Sequence, residues 1–455
     1  MIRYTLFFSM FLLSAFSLSG QETQMDLQEA IQYALQNNPS LDRAQINISD
    51  AQEQIVERRA IGLPQINATL EYQYFIDIPT QILPDFISPS IYGVLFEEGL
   101  VEPFDLMTDP NGQPAQFGTK HNLSAGISLN TMIFDGSYFV GLKAAQTYRD
   151  YVAKQLDSER FNVEKQVVEA FLPALLIQTN LNTLQKNIGN LEALYQETSA
   201  MYKEGFVEQL DVDRLELSLA NLQTEYEKLD RQKSVVVNGL KMVMGYPMDA
   251  DLVIEGTIEA LLEETATIDL SETANVAVRP EYQVASFGKT LNELNIKLNK
   301  SEYLPKLYAF GSYQASLYAN ELSTGQWFPT SLVGLRLQVP IFDGLNKKAK
   351  VQRTKLDLEV AQSQIAELEQ YIYFEVENAR IAYLNASETV GSRRKNLDLA
   401  NRIYETTQIK YREGVGSSLE MNQAEQSLFT SQQNYNQALY DLLVAKMDYE
   451  KAMGR

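Results

Sequence analysis

Two short strings in this 455-residue chain are each followed, at the same distance, by an acid. Six positions beyond the glycine of YKEG (Tyr202 to Gly205) stands Asp211, and six beyond that of YREG (Tyr411 to Gly414) stands Glu420. A glycine after a helix takes left-handed backbone angles without strain and so can stop it. A new helix starting within a few residues then makes a helical hairpin. An acid in the first turn of that new helix suits the positive end of the helix dipole, and Ser417 or Ser418 could cap the start in the second copy. That local role explains both acids by itself. A second role arises if copies of the chain surround an axis, because an inward acid then becomes a negative ring that attracts cations and repels anions at a constriction.

Other chemistry is scarce. There is no cysteine and a single histidine, His121, which removes thiol nucleophiles, disulfides and Cys/His zinc sites and leaves little for histidine acid/base work. Paired acids such as Glu97–Glu98 and Glu263–Glu264 read as solvated surface. Hence no catalytic residue, metal site or cofactor is expected, and the chain does not read as an enzyme. A formal charge of −21 argues against a nucleic-acid partner. The opening MIRYTLFFSMFLLSAFSLSG has one early arginine, an apolar run and small residues after it, the pattern of a secretory signal peptide over residues 1–20. Nothing downstream is apolar enough for a membrane helix, so a membrane-spanning part would have to be built of strands.

The elements that would position the two acids come from an internal duplication. LPQINATLEYQY from Leu63 aligns with LPKLYAFGSYQA from Leu304, an offset of 241; IFDG at Ile133 and at Ile341 gives 208, and the two Y-x-E-G strings give 209. The fall from 241 to 208 puts 33 extra residues into the first copy. Each copy reads helix, strand, strand, long helix, tight turn, helix. In the first strand Ile66, Ala68, Leu70, Tyr72 and Tyr74 alternate with Gln65, Asn67, Thr69, Glu71 and Gln73; in the fourth, Val333, Leu335, Leu337 and Val339 alternate with Gly334, Arg336 and Gln338. Period two gives one apolar and one wet face, as on a soluble core or in a barrel wall with lipid outside.

About 65 residues without strand character then follow each IFDG, enough for a helix of roughly 100 Å. Pro173 predicts a bend or break in the first and a smoother second. After the turns, Leu428, Ser431, Tyr435, Ala438, Leu442, Ala445 and Tyr449 fall at heptad steps, as do Leu219, Leu222, Tyr226, Leu229, Lys233, Val236 and Leu240. Ala361, Ile365, Leu368, Ile372, Val376, Ala379 and Tyr383 advance near 3.67 residues per turn, which favours straighter packing. At each strand-to-helix joint, Asp135 and Asp343 are placed to cap the helix and Gly136 and Gly344 to let the backbone turn. The domain plan is a signal peptide (1–20), a first helix (21–62), a hairpin (63–134) with loop 76–120, a helical hairpin (135–245), a linker (246–272), a second helix (273–303), a second hairpin (304–342) and a second helical hairpin (343–455). Loop 76–120 holds six prolines among apolar residues, which predicts a folded surface connection without a long helix, packed over the outer mouth in the sharper version.

Four strands cannot close in lipid, because an open sheet leaves two unpaired edges. Two chains give eight strands, a nearly filled barrel, and three give twelve with room for water. A trimeric tube with a helical sleeve follows.

Over nearly the whole mature length the chain resembles the TolC-like outer-membrane efflux proteins. The resemblance is carried by LQEAIQYALQNNPSL (Leu27 to Leu41), RPE (Arg279 to Glu281), Leu63–Pro64, Leu304–Pro305, both IFDG ends and both Y-x-E-G turns. It implies an α+β membrane protein with four membrane strands per chain closing as a 12-stranded trimeric barrel, continued by a long α-helical periplasmic tunnel. It also implies an exit duct of a tripartite efflux pump or type I secretion system, in the outer membrane, with a periplasmic adaptor, an inner-membrane pump and outer-membrane lipid as partners. For the tip, it implies a gate at Glu420, Asp211 and the neutral Gln423, and a latch between Tyr411 and Asp211. The family's latch arginine falls on Gly416, so a weaker cation block and a simpler latch are expected. The rival reading is a periplasmic coiled-coil structural or adaptor protein, which would have no need of a lipid-facing wall.

Overall fold

The structure, a computed structural model, describes residues 23–83, 87–102, 113–264 and 268–455. The expected signal peptide lies outside the described residues, as do Pro84, Phe86, Pro103, Phe104 and Pro110 of the long loop. The chain divides into two compact units: one of residues up to Gln52 with Thr147–Asn292 and Asp357–Arg455, the other of Glu53–Gln146 and Glu293–Leu356.

In chain order, strand β1 (Thr23–Met25) leads into helices α1 (Leu27–Asn37) and α2 (Pro39–Ile61). Asp26 starts α1 with a reciprocal capping box, its carboxylate accepting from Glu29 N at 2.8 Å while Glu29 accepts from Asp26 N at 3.1 Å. Asn38–Pro39 separates the two helices, as expected of a residue held extended before proline. Strand β2 (Gln65–Tyr74) follows, then β3 (Thr80–Leu83), helix α3 (Ile87–Glu97) and β4 (Gln113–Gln116), then β5 (His121–Asp135). Helix α4 (Gly136–Lys203) and helix α5 (Gln209–Met244) form the first helical hairpin. Strand β6 (Leu252–Ile254), helix α6 (Ile258–Glu264) and helix α7 (Pro280–Ser301) precede the second copy: β7 (Lys306–Ala319), β8 (Gln326–Gln338), α8 (Asn346–Arg412) and α9 (Ser418–Ala452).

The sheet unit is built on one antiparallel sheet of order β2-β5-β7-β8. Its register keeps the two faces chemically distinct. Ile66 pairs with Leu129, which pairs with Gly311 and through it with Val333; Ala68, Ile127 and Tyr313 form the next apolar row. On the alternate positions Glu71, Ser124 and Ser316 align, as do Thr69, Gly126, Gln314 and Thr330. Among the described residues of one chain nothing covers the apolar face: Ile66, Leu70, Val333 and Leu335 are 72%, 76%, 89% and 68% exposed. β2 and β8 are open edges. The long loop holds the β3–β4 ribbon and an 11-residue helix carrying Pro89 near its start, where proline is tolerated.

The helical unit is packed around a core of Leu27, Ala30 and Ala34 from α1, Phe171, Leu172 and Leu175 from α4, Leu240 and Met244 from α5, Ile258 and Leu443. The expected seam on α8 is inward: Ile372, Val376 and Ala379 are buried and Ala361, Ile365, Leu368 and Tyr383 half-buried. On α9, Leu428, Ala438, Ala445 and Tyr449 are buried, with Leu442 only half-buried beside buried Leu439 and Leu443. Of the bend or break expected at Pro173, the break does not occur: helix α4 runs through it for 68 residues. Proline removes one backbone hydrogen bond there, yet Phe171, Leu172, Ala174 and Leu175 are all at most 2% exposed, and burial of those side chains outweighs the lost bond.

Linker 246–272 contains β6, which pairs in parallel with β1, Thr23 opposite Leu252 and Met25 opposite Ile254.

Candidate functional site

The two Y-x-E-G turns end α4 and α8. Gly205 (φ +79°) and Gly414 (φ +75°) adopt the left-handed region. In each turn the residue after the glycine donates back across the helix end, Phe206 N to Met201 O at 2.9 Å and Val415 N to Lys410 O at 3.0 Å. This six-to-one bond satisfies carbonyls that the helix end would otherwise orphan. α9 is then started by Ser417, whose hydroxyl accepts from Glu420 N at 3.2 Å. Ser418 is not the cap; it is buried and accepts from the Arg214 guanidinium on α5 at 2.8 Å.

Beneath the turns the four helices of the two hairpins share a small core of Leu191 and Leu194 (α4), Leu215 (α5), Tyr411 (α8) and Met421 (α9). Polar contacts cross between the hairpins around it. Asn422 donates to Ser218 Oγ at 2.6 Å, Arg412 pairs with Glu197 at 3.1 Å, and Tyr411 donates to buried Thr198 Oγ1 at 3.5 Å. Burial pushes the Tyr411 phenol up; the bond to Thr198 opposes this, and the negative charges of Asp211 and Glu197 add to the rise.

The residues singled out from the sequence are placed as follows. Glu420 and Gln423 are solvent-exposed on the first turns of α9. Asp211 is half-buried in the first turn of α5, where its Oδ2 accepts from Glu208 N at 3.2 Å, so its carboxylate is engaged in its own helix start. Among the described residues no hydrogen bond joins Asp211 to Tyr411 within the chain; Tyr411 turns instead to Thr198. The paired turn tyrosine Tyr202 is 41% exposed, so the two copies differ at this position. At Gly416, a Cβ would lie 3.0 Å from Tyr411 N, so a side chain there would press tightly on the end of α8.

The two strand-to-helix joints also differ. In the first, β5 passes directly into α4, with a register shift between Met132 and Phe134. Asp135 is buried and accepts from Ser137 N at 2.8 Å, Ser137 Oγ at 2.6 Å, Tyr308 Oη at 3.1 Å and Lys306 Nζ at 2.8 Å. Gly136 has no positive φ; it sits close to Leu304, where a Cβ would fall 2.4 Å from Leu304 Cδ1 and the leucine side chain would have to shift. In the second joint an irregular stretch separates β8 from α8, and Gly344 and Leu345 both have positive φ, +65° and +69°. Asp343 there accepts from Lys347 N at 2.9 Å and from its ammonium at 3.1 Å.

Sequence reasoning missed Thr198, Arg214, Ser218 and Glu197, which have no mark beyond being polar and within about four turns of the glycines. It also missed the clamp made by Arg279, a 4% exposed side chain that pairs with Glu281 and, at 2.7 Å, with Glu375, and donates to the Ala452 carbonyl at 2.6 Å. The RPE string marked this place but not the role. Among the described residues no group of three or more His, Cys, Asp or Glu could hold a metal ion, and no helix is long and apolar enough to cross a membrane.

Residues 277–455, the second copy, match the family described as Outer membrane efflux protein. The alkaline protease secretion protein AprF of Pseudomonas aeruginosa is 25% identical over 70% of this chain and 67% of its own length. The outer membrane protein TolC of Vibrio cholerae is 22% identical over 73% and 76% respectively. The second copy of this chain thus carries the outer membrane efflux protein family domain, and the chain is similar to TolC-like outer membrane proteins. Among solved structures of such channels, CusC superposes with a TM-score of 0.70 over 94% of this chain and 92% of that one at 15% identity, a likeness of fold. The family and these neighbours are outer membrane proteins, which fits an outer-membrane location with a large helical part in the periplasm.

Proposed function

We propose that this protein is the outer-membrane exit duct of a tripartite efflux pump or type I secretion system, passively conducting its cargo outward. The observation that carries this is the four-stranded sheet, apolar on one face and polar on the other, with both edges open and its strands feeding helices of 68 and 67 residues. In lipid the open edges must be paired by other copies. Three copies give a 12-stranded barrel wide enough for water, with the polar rows through Glu71, Ser124 and Gln314 inside. The family relatives named for protease secretion and for efflux support the two routes of use equally. An adaptor in the periplasm and a pump in the inner membrane are the partners this reading requires. Phe206 and Val415, 76% and 77% exposed at the two turns, supply apolar contacts for such an adaptor.

In the same reading the helix tips are the gate. Glu420, exposed beside the cap of α9, forms the acidic ring, with neutral Gln423 one turn further on. The cross-hairpin bonds of Arg214, Asn422, Arg412 and Tyr411 hold the tips together, and Asp211 takes part through the start of its own helix. The test is electrical. Purified protein should run as a heat-resistant trimer from the outer-membrane fraction and conduct in planar bilayers. Divalent or trivalent cations on the periplasmic side should block it, and Glu420→Gln should weaken that block several-fold. Block unchanged in Glu420→Gln would remove the ring, and absence of trimers would remove the duct.

A further inference from the structure

Five residues beyond Glu420 lies an acid in a different setting. Glu425 stands one turn after fully buried Met421 and beside buried Leu428, so it is held on the packed side of α9. With Asn187 and Asn190 of α4, Leu222 of α5, Tyr404 of α8 and Phe429 of its own helix it lines a cavity of ≈ 20 Å3, room for about one water. Its Oε2 is buried without a hydrogen-bond partner. On its other side it borders a wider groove of ≈ 450 Å3 between α5 and α9. The titratable groups facing it are the Tyr404 phenol from α8 and Glu225 from α5, across that groove; α4 presents only the two asparagines, and α9 itself Asn422, Gln426 and Phe429. No lysine or arginine lines either space. A carboxylate there would be both desolvated and unpaired, the costly combination.

We propose that Glu425 is a proton-operated spacer of the hairpin tips: neutral, it packs between α4, α5, α8 and α9; ionised, it draws in water and loosens those four helices beneath the turns. Burial alone pushes its carboxyl up to about 7, from an ordinary value of 4.5. The packed form therefore holds the proton over a range where the opened form has lost it. The sign follows: packing is tightest below about pH 4.5, opening grows by at most about tenfold per pH unit up to about 7, and it levels above. The inference concerns helix packing and does not depend on whether Glu420 forms a conducting ring.

The experiment uses the full-length protein in detergent micelles. Hydrogen exchange, corrected for the intrinsic pH dependence of the chemistry, is followed from pH 5 to 8 in peptides spanning 187–194, 215–225, 404–411 and 421–429. Infrared spectra over the same range follow protonated carboxyl groups. The wild type should show opening that rises at least tenfold between pH 5 and 7 and then levels, with a carboxyl band disappearing around pH 7. Glu425→Gln, the neutral near-isostere, should lose both the band and the pH slope, and Glu225→Gln should keep both. A flat wild-type profile, or a slope that survives in Glu425→Gln, overturns the proposal. Should Glu425→Gln fail to fold, the wild type decides: a band titrating together with tip opening supports the spacer, and absence of such a band sinks it.

Discussion

At the scale of single residues, the tip separates packing from polarity. The Tyr411 ring is buried among Leu191, Leu194, Leu215 and Met421, while its hydroxyl makes one bond to Thr198 at the long limit of 3.5 Å. Tyr411→Phe should therefore cost no more than about 1 kcal/mol. Tyr411→Ala, by leaving a ring-sized cavity, should cost about 3–5 kcal/mol. Thermal unfolding of the two variants, with hydrogen exchange at the turns, measures the difference. Equal losses would mean that the hydroxyl, not the ring, holds the tip. The Arg412–Glu197 pair, with both side chains more than 40% exposed, should contribute under about 1 kcal/mol and weaken with salt. Glu420 was legible because its spacing from Gly414 repeats that of Asp211 from Gly205. Glu425 was not, because an acid on the flank of a heptad seam is one letter among many until the burial of Met421 and Leu428 is known. The partners of Tyr411 and Asp211 were illegible for the same reason: Thr198 and Glu208 are chosen by local geometry, not by type.

At the scale of elements, the period-two alternation of Ile66 to Tyr74 and of Val333 to Val339 and the glycine turns passed from sequence to structure almost unchanged. Periodicity reports which face is apolar, and a left-handed glycine can do little else. At Pro173, where a bend or break was expected, the break is absent because the core around the proline outweighs its local propensity. That balance has a measurable side. In Pro173→Ala the helix regains a backbone hydrogen bond and keeps its buried neighbours, so stability should rise by about 1–3 kcal/mol, seen as a higher unfolding temperature. A fall would show that the proline ring fills space in the core that alanine leaves empty. The joints were half legible. Both aspartates bond the start of the following helix, but Gly136 serves a close approach to Leu304 and only Gly344 uses a positive φ. No string of four letters distinguishes those two uses.

At the scale of the whole molecule, the duct reading makes the two faces of the sheet unequal. Leu335→Arg puts a charge on the apolar face and, near the bilayer midplane, should cost about 2–4 kcal/mol. The yield of heat-resistant trimers from the outer membrane should fall accordingly. Gln314→Lys, on the polar face, should leave the yield unchanged and alter only conductance. Equal losses from both would argue that neither face meets lipid.

The β1–β6 pair has a consequence in time. Thr23 and Leu252 stand opposite each other in the paired strands yet 229 positions apart in the chain. At about 5–20 residues per second, synthesis separates them by roughly 10–45 s. The first strand to be made is thus a late one to find its place, and the first repeat must remain without its N-terminal clasp until the linker has emerged. Any factor that escorts the newborn chain has to hold that end through the interval.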